Sequence, residues 1–434
     1  MVADTLARSL ETGNFSPLAP LYAPDARFDA LVPGRRVQVR GGEAVAELLA
    51  EWWTTPGRLA RWDVETFPSG LVVEFEREVG DDLWRQRHFI QLSGGLVARH
   101  QAYAARPQGR ARAAVADPLP PGYDVVEREP LTHPGQSGNR LERIRLADGR
   151  TLVLKHLAPA GDWIAEGTHD AGRELSLWRQ GVFARLPHEI DHCVVDAYDR
   201  TLVLRDASAD LIAPTRRLTR AESRRLLAAG AQLHHVLQGA EISGLCALSD
   251  RIRFCGREAI HPHALGLDYL PKVMYVGWEV FVEECPREVV EAVFAAHDNP
   301  RPLAKALEGC GETVVHGDLR WANLGFVNGR VVMLDWGLAG YGPPALDFAW
   351  YLFINGRRID ASYDDLIDDF RVAEGDLYDE RALELAWLAQ LCLHGGLLAH
   401  ELIESSDEKR ARARAELDWW VASARAALEH WSPG

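Results

Sequence analysis

The sequence predicts an α+β protein of more than one domain, and three observations carry that reading. Residues 3–110 open with helical periodicity and then run through strand-like segments separated by glycine turns. Asp148-Gly149 and Asn328-Gly329 each join two apolar runs, so hairpins recur further along the chain. After residue 206 the pattern turns helical, with amphipathic stretches at Ala221 to Leu237, Leu383 to Leu402 and Ala411 to Leu428. A chain of 434 residues is also long for one core, and two or three domains are expected.

Composition narrows the class. With 47% hydrophobic and 26% charged residues, the chain reads as globular protein. The opening MVADTLARSLETGNF carries acids early and lacks the apolar segment of a secretory signal. No run approaches the ~18 uninterrupted apolar residues of a membrane span, so no membrane partner is expected. The six cysteines are scattered without paired spacing, which predicts reduced thiols and a cytoplasmic location. Residues 1–110 hold 13 Lys+Arg and 14 Asp+Glu, while the rest hold 35 and 49. The formal charge of −15 therefore sits almost wholly beyond residue 110, and no basic stripe suits a nucleic-acid partner.

In order, an opening helix reaches about Leu21, and Tyr22 to Phe28 turn into a strand. An amphipathic helix follows Gly41-Gly42. Strands then run over Trp62 to Phe67, Leu71 to Val79, Trp84 to Leu92 and Leu96 to Tyr103, the last two joined at Ser93-Gly94-Gly95. Helices followed by an antiparallel sheet predict an α+β cone. The segments Leu21 to Ala26, Gly41 to Val45 and Leu92 to Tyr103 resemble the nuclear-transport-factor-2-like superfamily, which includes polyketide-cyclase-like isomerases. A homodimer through the sheet is compatible with that resemblance. Asp29, Glu74, His88 and His100 are read as strand residues facing water or bonded to neighbours, not as catalysts. Residues 107–122, rich in Pro, Ala and Arg, read as a linker.

From Val125 a second hairpin region begins. Gly135, Ser137 and Gly138 form a short glycine-containing loop of the kind that lets backbone N–H groups approach phosphates. It falls short of a full G-x-G-x-x-G. Leu141 to Leu146 and Thr151 to Leu154 pair across Asp148-Gly149 and lead to Lys155. Only four lysines occur among 48 basic residues, so a strand lysine marks a position where a compact ammonium is wanted. Glu174, on a helix around Ala171 to Gln180, is its expected partner, with Glu166 as a competitor. A strand Lys held by a helix Glu is a grip for α- and β-phosphates. Thr201 to Asp206 then read as a strand running into a hinge.

The most informative stretch is Val314 to Leu352. It reads as a strand, a polar loop from His316 to Asn323, and a hairpin across Asn328-Gly329. The hairpin folds Asn323 back beside Asp335, with Asp318 upstream in the same loop. Two oxygen ligands facing phosphates, Asn323 and Asp335, suit Mg²⁺. A separate carboxylate, Asp318, suits a base orienting a hydroxyl. Beyond this, Ser362 to Asp365 read as a helix cap. The acids Asp364, Asp365, Asp368, Asp369, Glu374, Asp376, Asp379 and Glu380 are read mostly as a solvated face, one that would also collect a cationic substrate.

Lys155, Glu174, His316-Gly-Asp318-Leu-Arg-Trp-Ala-Asn323, Asp335-Trp336-Gly337 and Asp347 together resemble the aminoglycoside phosphotransferase and choline kinase family, over about residues 123–430. The resemblance implies a bilobal protein-kinase-like fold behind the cone: residues 1–106 cone, 107–122 linker, 123–206 small lobe and 207–434 large helical lobe. It implies an ATP- and Mg²⁺-dependent small-molecule kinase with Asp318 as catalytic base. In that family's pattern Asn323 and Asp335 hold Mg²⁺, Lys155 and Glu174 position the nucleotide, and His316 and Asp347 brace the loop. The expected acceptor is a hydroxyl of a small polar, amino-bearing compound such as an aminoglycoside, amino sugar or amino alcohol. A second reading is a nucleotide-binding regulator, a pseudokinase whose N-terminal domain holds a ligand or partner.

Overall fold

Apolar residues three to four apart bury one side of α1 (Val2–Thr12) through Val2, Leu6 and Leu10. Gly13 ends the helix at φ 74°, a left-handed conformation that costs glycine little. The structure is a computed structural model. It describes all residues except 54, 56, 80–81, 106–121, 132–138, 158–161, 267–268, 405 and 432–434. The expected linker therefore lies outside the described residues, apart from Gly122.

A 3₁₀ turn over Ser16–Leu21 feeds β1 (Tyr22–Val32) and β2 (Arg35–Arg40). After α2 (Gly42–Trp52) come β3 (Arg58–Phe67), β4 (Gly70–Val79), β5 (Asp82–Ser93) and β6 (Leu96–Ala105). They form one sheet in the order β2-β1-β6-β5-β4-β3, antiparallel except where β1 meets β6. The sequence reading contains no strand at β2, whose three arginines hide the apolar alternation. The helices cover the sheet over a core that includes Phe28, Val45, Leu49, Phe75 and Ile90. Burying side chains of this size contributes about 1.5–3 kcal/mol each.

His88 and His100 lie in that core, bonded to neighbours. His88 Nδ1 meets His100 Nε2 at 2.8 Å, and the Tyr22 hydroxyl meets His100 Nδ1 at 2.5 Å. Burial pushes the His88 pKa down to about 3 and that of His100 well below the usual range, so both rings are neutral. Asp29 pairs with Arg36 and Glu74 with Arg85.

The chain forms two units whose boundaries are not sequential. The first joins Met1–Asp117 to Arg257–Cys285 and His394–Trp419. Within it, Leu31, Val72, Phe89 and Tyr103 share a core with Val276, and the Tyr103 hydroxyl meets His400 Nε2 at 3.0 Å. The Arg36 guanidinium donates to Asp29 and, at 2.6 Å, to Glu279.

The second unit comprises Pro118–Gly256, Pro286–Leu393 and Trp420–Gly434. It contains a five-stranded sheet built from β7 (Val125–Leu131), β8 (Arg140–Leu146), β9 (Thr151–His156), β11 (Val194–Tyr198) and β12 (Thr201–Arg205), in the order β11-β12-β9-β8-β7. Short β10 (Ile190–Asp191) pairs instead with the Leu324–Val327/Arg330–Met333 hairpin. Asn328 and Gly329 turn that hairpin at φ 47° and 83°, the two positive values its turn type requires. Among the described residues one helical stretch, Glu380–Ile403, is long and apolar enough to cross a membrane, and most of it is buried within the protein. All six cysteines are free thiols.

Candidate active site

The hairpin closes through the Leu334 N–H, which donates to Asn323 O at 2.9 Å. That bond carries out the convergence expected from the turn, setting Asn323 beside the residue that precedes Asp335. Asp335 itself adopts φ 65°, a left-handed conformation uncommon outside glycine and held here by its surroundings.

Lys155, near the end of β9, is buried between two carboxylates. Its Nζ donates to Glu174 Oε2 at 2.6 Å and to Asp335 Oδ1 at 2.7 Å. Glu174 lies in the first turn of the helix Arg173–Arg179 and is buried, whereas the competing Glu166 is exposed. Burial opposes the Lys155 charge, but Asp335 and Glu174 outweigh it and hold the ammonium above the usual lysine range. Burial raises the Glu174 carboxyl. For Asp335 burial acts the same way, but the Lys155 ammonium overrides it and brings the pKa to about 2. Asp335 is thus a permanent carboxylate, half of it turned away from the lysine.

Asp318 stands across from this pair, buried. Asn323 Nδ2 donates to its Oδ2 at 2.8 Å, and Trp350 Nε1 donates to its Oδ1 at 2.9 Å. Arg320 Nε lies 3.2 Å from Asp318 Oδ2, and its Nη2 lies 4.0 Å from Asp335 Oδ2. Burial pushes the Asp318 pKa up to about 6, against the pull of Arg320. A carboxylate poised there is ionised at neutral pH yet basic enough to take a proton.

Buried braces fix the loop. Asp347 accepts the backbone N–H groups of His316 and Gly317, each at 2.7 Å. Gly317 sits at φ 85°, and a Cβ there would meet Leu338 O at 2.2 Å, so only glycine fits. His316 packs on Trp336, with ring centroids 4.5 Å apart, and its Nδ1 accepts the Asp318 N–H at 3.1 Å. Asn355 clamps the far side, accepting from Trp321 N and donating to Leu319 O, both at 2.8 Å. Asp347 is held in turn by His234, whose other ring nitrogen meets Glu374 at 2.8 Å.

The structure therefore brings Lys155, Glu174 and Asp335 together, and Asp318 with Asn323. Gly135, Ser137 and Gly138 lie outside the described residues. The sequence reading misses Arg320, Trp350 and Asn355. Arg320 falls inside the quoted motif and carries charge, so it was the findable one. The other two come from the helix Ala345–Asn355, which also carries Asp347, and have no motif of their own.

As ion ligands, Asn323 and Asp335 offer the right chemistry. Asn323 Nδ2 is spent on Asp318, which leaves its side-chain oxygen without a hydrogen bond among the described residues, and Asp335 Oδ2 lies 4.0 Å from Arg320 Nη2. No cluster of three His, Cys, Asp or Glu occurs among the described residues. Two oxygens suit Mg²⁺, which takes its remaining ligands from phosphate and water.

One expectation is corrected. The acids after Ser362 do not form an open cation-collecting face. Asp369 is held by Arg220 and Arg224, Asp365 by Arg220, Asp368 and Glu380 by Arg371, and Glu374 by His234. Arginines from the same helix and from Arg220–Leu237 thus pair four of the eight acids, and His234 pairs a fifth.

The model of the phosphotransferase enzyme family matches residues 132–384, more than half of the chain. No curated protein matches the sequence. Among solved structures, choline kinase LicA from Streptococcus pneumoniae is similar over 69% of this chain and 94% of its own, at 15% identity and a TM-score of 0.42. An aminoglycoside phosphotransferase from Alicyclobacillus acidocaldarius is similar over 74% and 99%, at 17% identity and a TM-score of 0.40. Macrolide 2'-phosphotransferase MphH from Brachybacterium faecium is similar over 68% and 94%, at 18% identity and a TM-score of 0.36.

Proposed function

The chain belongs to the phosphotransferase enzyme family, and from that premise we propose that it transfers the γ-phosphoryl group of ATP to a hydroxyl of a small polar molecule. The observation that carries this reading is the pairing of a Lys155–Glu174–Asp335 cluster with a base, Asp318, whose pKa is near 6. In the proposed reaction the acceptor oxygen bonds to phosphorus and the bond to the β-phosphate oxygen breaks, releasing ADP. The acceptor proton passes to Asp318 Oδ1 or Oδ2. Lys155 holds the α- and β-phosphates and is itself held by Glu174. Arg320, between Asp318 and Asp335, offsets the charge of the transferring group. Asn323 and Asp335 are the residues that would hold Mg²⁺, which when bound neutralises phosphate charge.

For the acceptor, the proposal is a hydroxyl compound of polar character. The charge argument for an amino group loses ground because the acids meant to attract it are largely paired internally. The N-terminal segment, in which the helices Val2–Thr12 and Gly42–Trp52 pack on a six-stranded sheet, supports the cone-like reading.

The test is a phosphoryl-transfer screen of the whole chain with Mg²⁺-ATP against amino sugars, amino alcohols, aminoglycosides and neutral polyols. ADP release that depends on one acceptor class supports the proposal and names the class. Mg²⁺-ATP binding with no acceptor-dependent ADP release would replace it with the nucleotide-binding regulator.

A further inference from the structure

The N-terminal unit holds a cavity of about 440 Å³, within the size range of small-molecule sites. Its walls include Trp52 and Trp53 at the end of α2, Arg77 and Val79 on β4, Trp84 on β5 and Ala104 on β6. Two of the indoles meet edge to face, Trp53 and Trp84, with centroids 6.3 Å apart. Three indoles beside Val79 and Ala104 make a flat, apolar enclosure.

The charge in that wall is unusual. Arg77 is 1% exposed, and among the described residues no carboxylate pairs with it. Its Nε and Nη2 donate to Leu10 O at 3.2 and 2.9 Å, Nη2 also donates to Thr55 O at 2.5 Å, and Nη1 has no acceptor among the described residues. Trp53 lies under the guanidinium, 4.8 Å from ring centroid to Cζ. Gly57 leaves room for this group, since a Cβ there would come within 2.9 Å of Arg77 Cζ. Burying a cation without an anion is costly, and proteins normally pair such a group.

Behind that wall, other buried donors also have no partner among the described residues. The indole N–H groups of Trp52 and Trp53 are buried without a partner, and so is Gln86 Nε2. Gln86 lies on the same face of β5 as Trp84, one pleat further in, and directly opposite Ala104. Its own oxygen is taken by His88 Nε2 at 2.9 Å. At the rim, Arg35 already has Glu51 at 3.8 Å. An apolar slot walled by a buried guanidinium that no carboxylate among the described residues pairs suits an acceptor-rich anion.

We infer that this cavity binds an organic anion with a flat apolar body and a carboxylate. The body lies among Trp52, Trp53 and Trp84, and the carboxylate takes the free Nη1 of Arg77. This site is separate from the residues proposed for phosphoryl transfer and stands whether or not that transfer occurs.

Calorimetric titration of the full chain tests it with three isosteres: 2-naphthoate, neutral 2-naphthamide and cationic 2-naphthylmethylammonium. The expected result is one site for 2-naphthoate, at least tenfold tighter than for the amide, with no binding of the cation. Ala104→Phe, which fills the cavity without touching a charge, is expected to weaken 2-naphthoate at least tenfold while the protein stays folded. Arg77→Gln is expected to remove the preference for the acid over the amide. Because Arg77 also ties Leu10 and Thr55, the Ala104→Phe result decides if that variant does not fold. Saturating Mg²⁺-ADP is expected to leave 2-naphthoate affinity unchanged. Absence of 2-naphthoate binding, equal affinity for acid and amide, unchanged affinity in Ala104→Phe, or competition by Mg²⁺-ADP would each overturn the assignment.

Discussion

Trp350 donates its indole N–H to Asp318 Oδ1 at 2.9 Å across 32 residues of sequence. One oxygen of the proposed base is thereby oriented by a side chain from the helix Ala345–Asn355, while Asn323 and Arg320 take the other. A hydrogen bond to a charged group is worth about 1.5–3 kcal/mol. Trp350→Phe is therefore expected to lower kcat by roughly 3- to 30-fold, since part of that energy serves orientation alone. The KM for ATP should stay within about twofold. Steady-state rates at saturating acceptor check this, and an unchanged kcat would mean the bond has no part in transfer.

Asp318→Asn retains the shape and the hydrogen bond from Trp350 but cannot accept the acceptor proton. It is expected to lower kcat by about 10²–10⁴-fold, the usual range for a positioned general base. ATP binding by calorimetry should stay within a few-fold. Turnover near that of the natural chain would remove Asp318 from the role of base.

Lys155→Met leaves Glu174 buried with no cation and Asp335 without its partner. Breaking a buried pair from one side costs about 3–5 kcal/mol. Denaturant titration should show a loss of that order, with ATP binding weakened at least about tenfold, as expected of the phosphate-holding lysine. Lys155→Met/Glu174→Gln should recover part of the stability but not the ATP affinity. Recovery of both would make the pair purely structural.

His234 gives a pH signature. Burial works against its charge, but Glu374 and Asp347 raise its pKa to about 10, against about 6.5 in an unfolded chain. The stabilisation from its positive charge is fully present below about pH 6.5 and is lost as pH rises through about 10. Unfolding free energies of the natural chain and His234→Gln should therefore converge between pH 7 and 10. A difference that is constant across that window would mean His234 is neutral in the fold.

Cutting the chain to residues 118–434 removes the sheet against which Val276 and His400 pack within the first unit. The truncated chain is expected to be aggregation-prone or to melt well below the full chain, because Val276, Leu265 and Tyr269 lose their apolar partners. Scanning calorimetry and size-exclusion chromatography check it. A truncated form that melts with the full chain would show that Arg257–Cys285 and His394–Trp419 are stable without the sheet.

Local chemistry made much of this legible in the sequence. Asn328-Gly329 announces its turn because few residues tolerate two successive positive φ values, and the turn in turn places Asn323 near Asp335. Ser362 and Asp365 form the reciprocal cap their spacing suggests. Strand β2 escapes the same reading because its side chains are charged on both faces.

What the sequence by itself determined is most of the elements and the residues proposed to react, carried on short motifs, since turns, caps and a polar loop depend on neighbours a few positions apart. What only the tertiary structure decided is everything joined across long separations. It chose Glu174 over Glu166 by burying one and exposing the other. It paired the acidic run with Arg220, Arg224 and Arg371, and it gave Asp318 its Trp350. It also joined Arg257–Cys285 and His394–Trp419 to the N-terminal sheet. Such pairings depend on which surfaces meet once the core forms, and a linear pattern of charge and hydrophobicity carries no record of that.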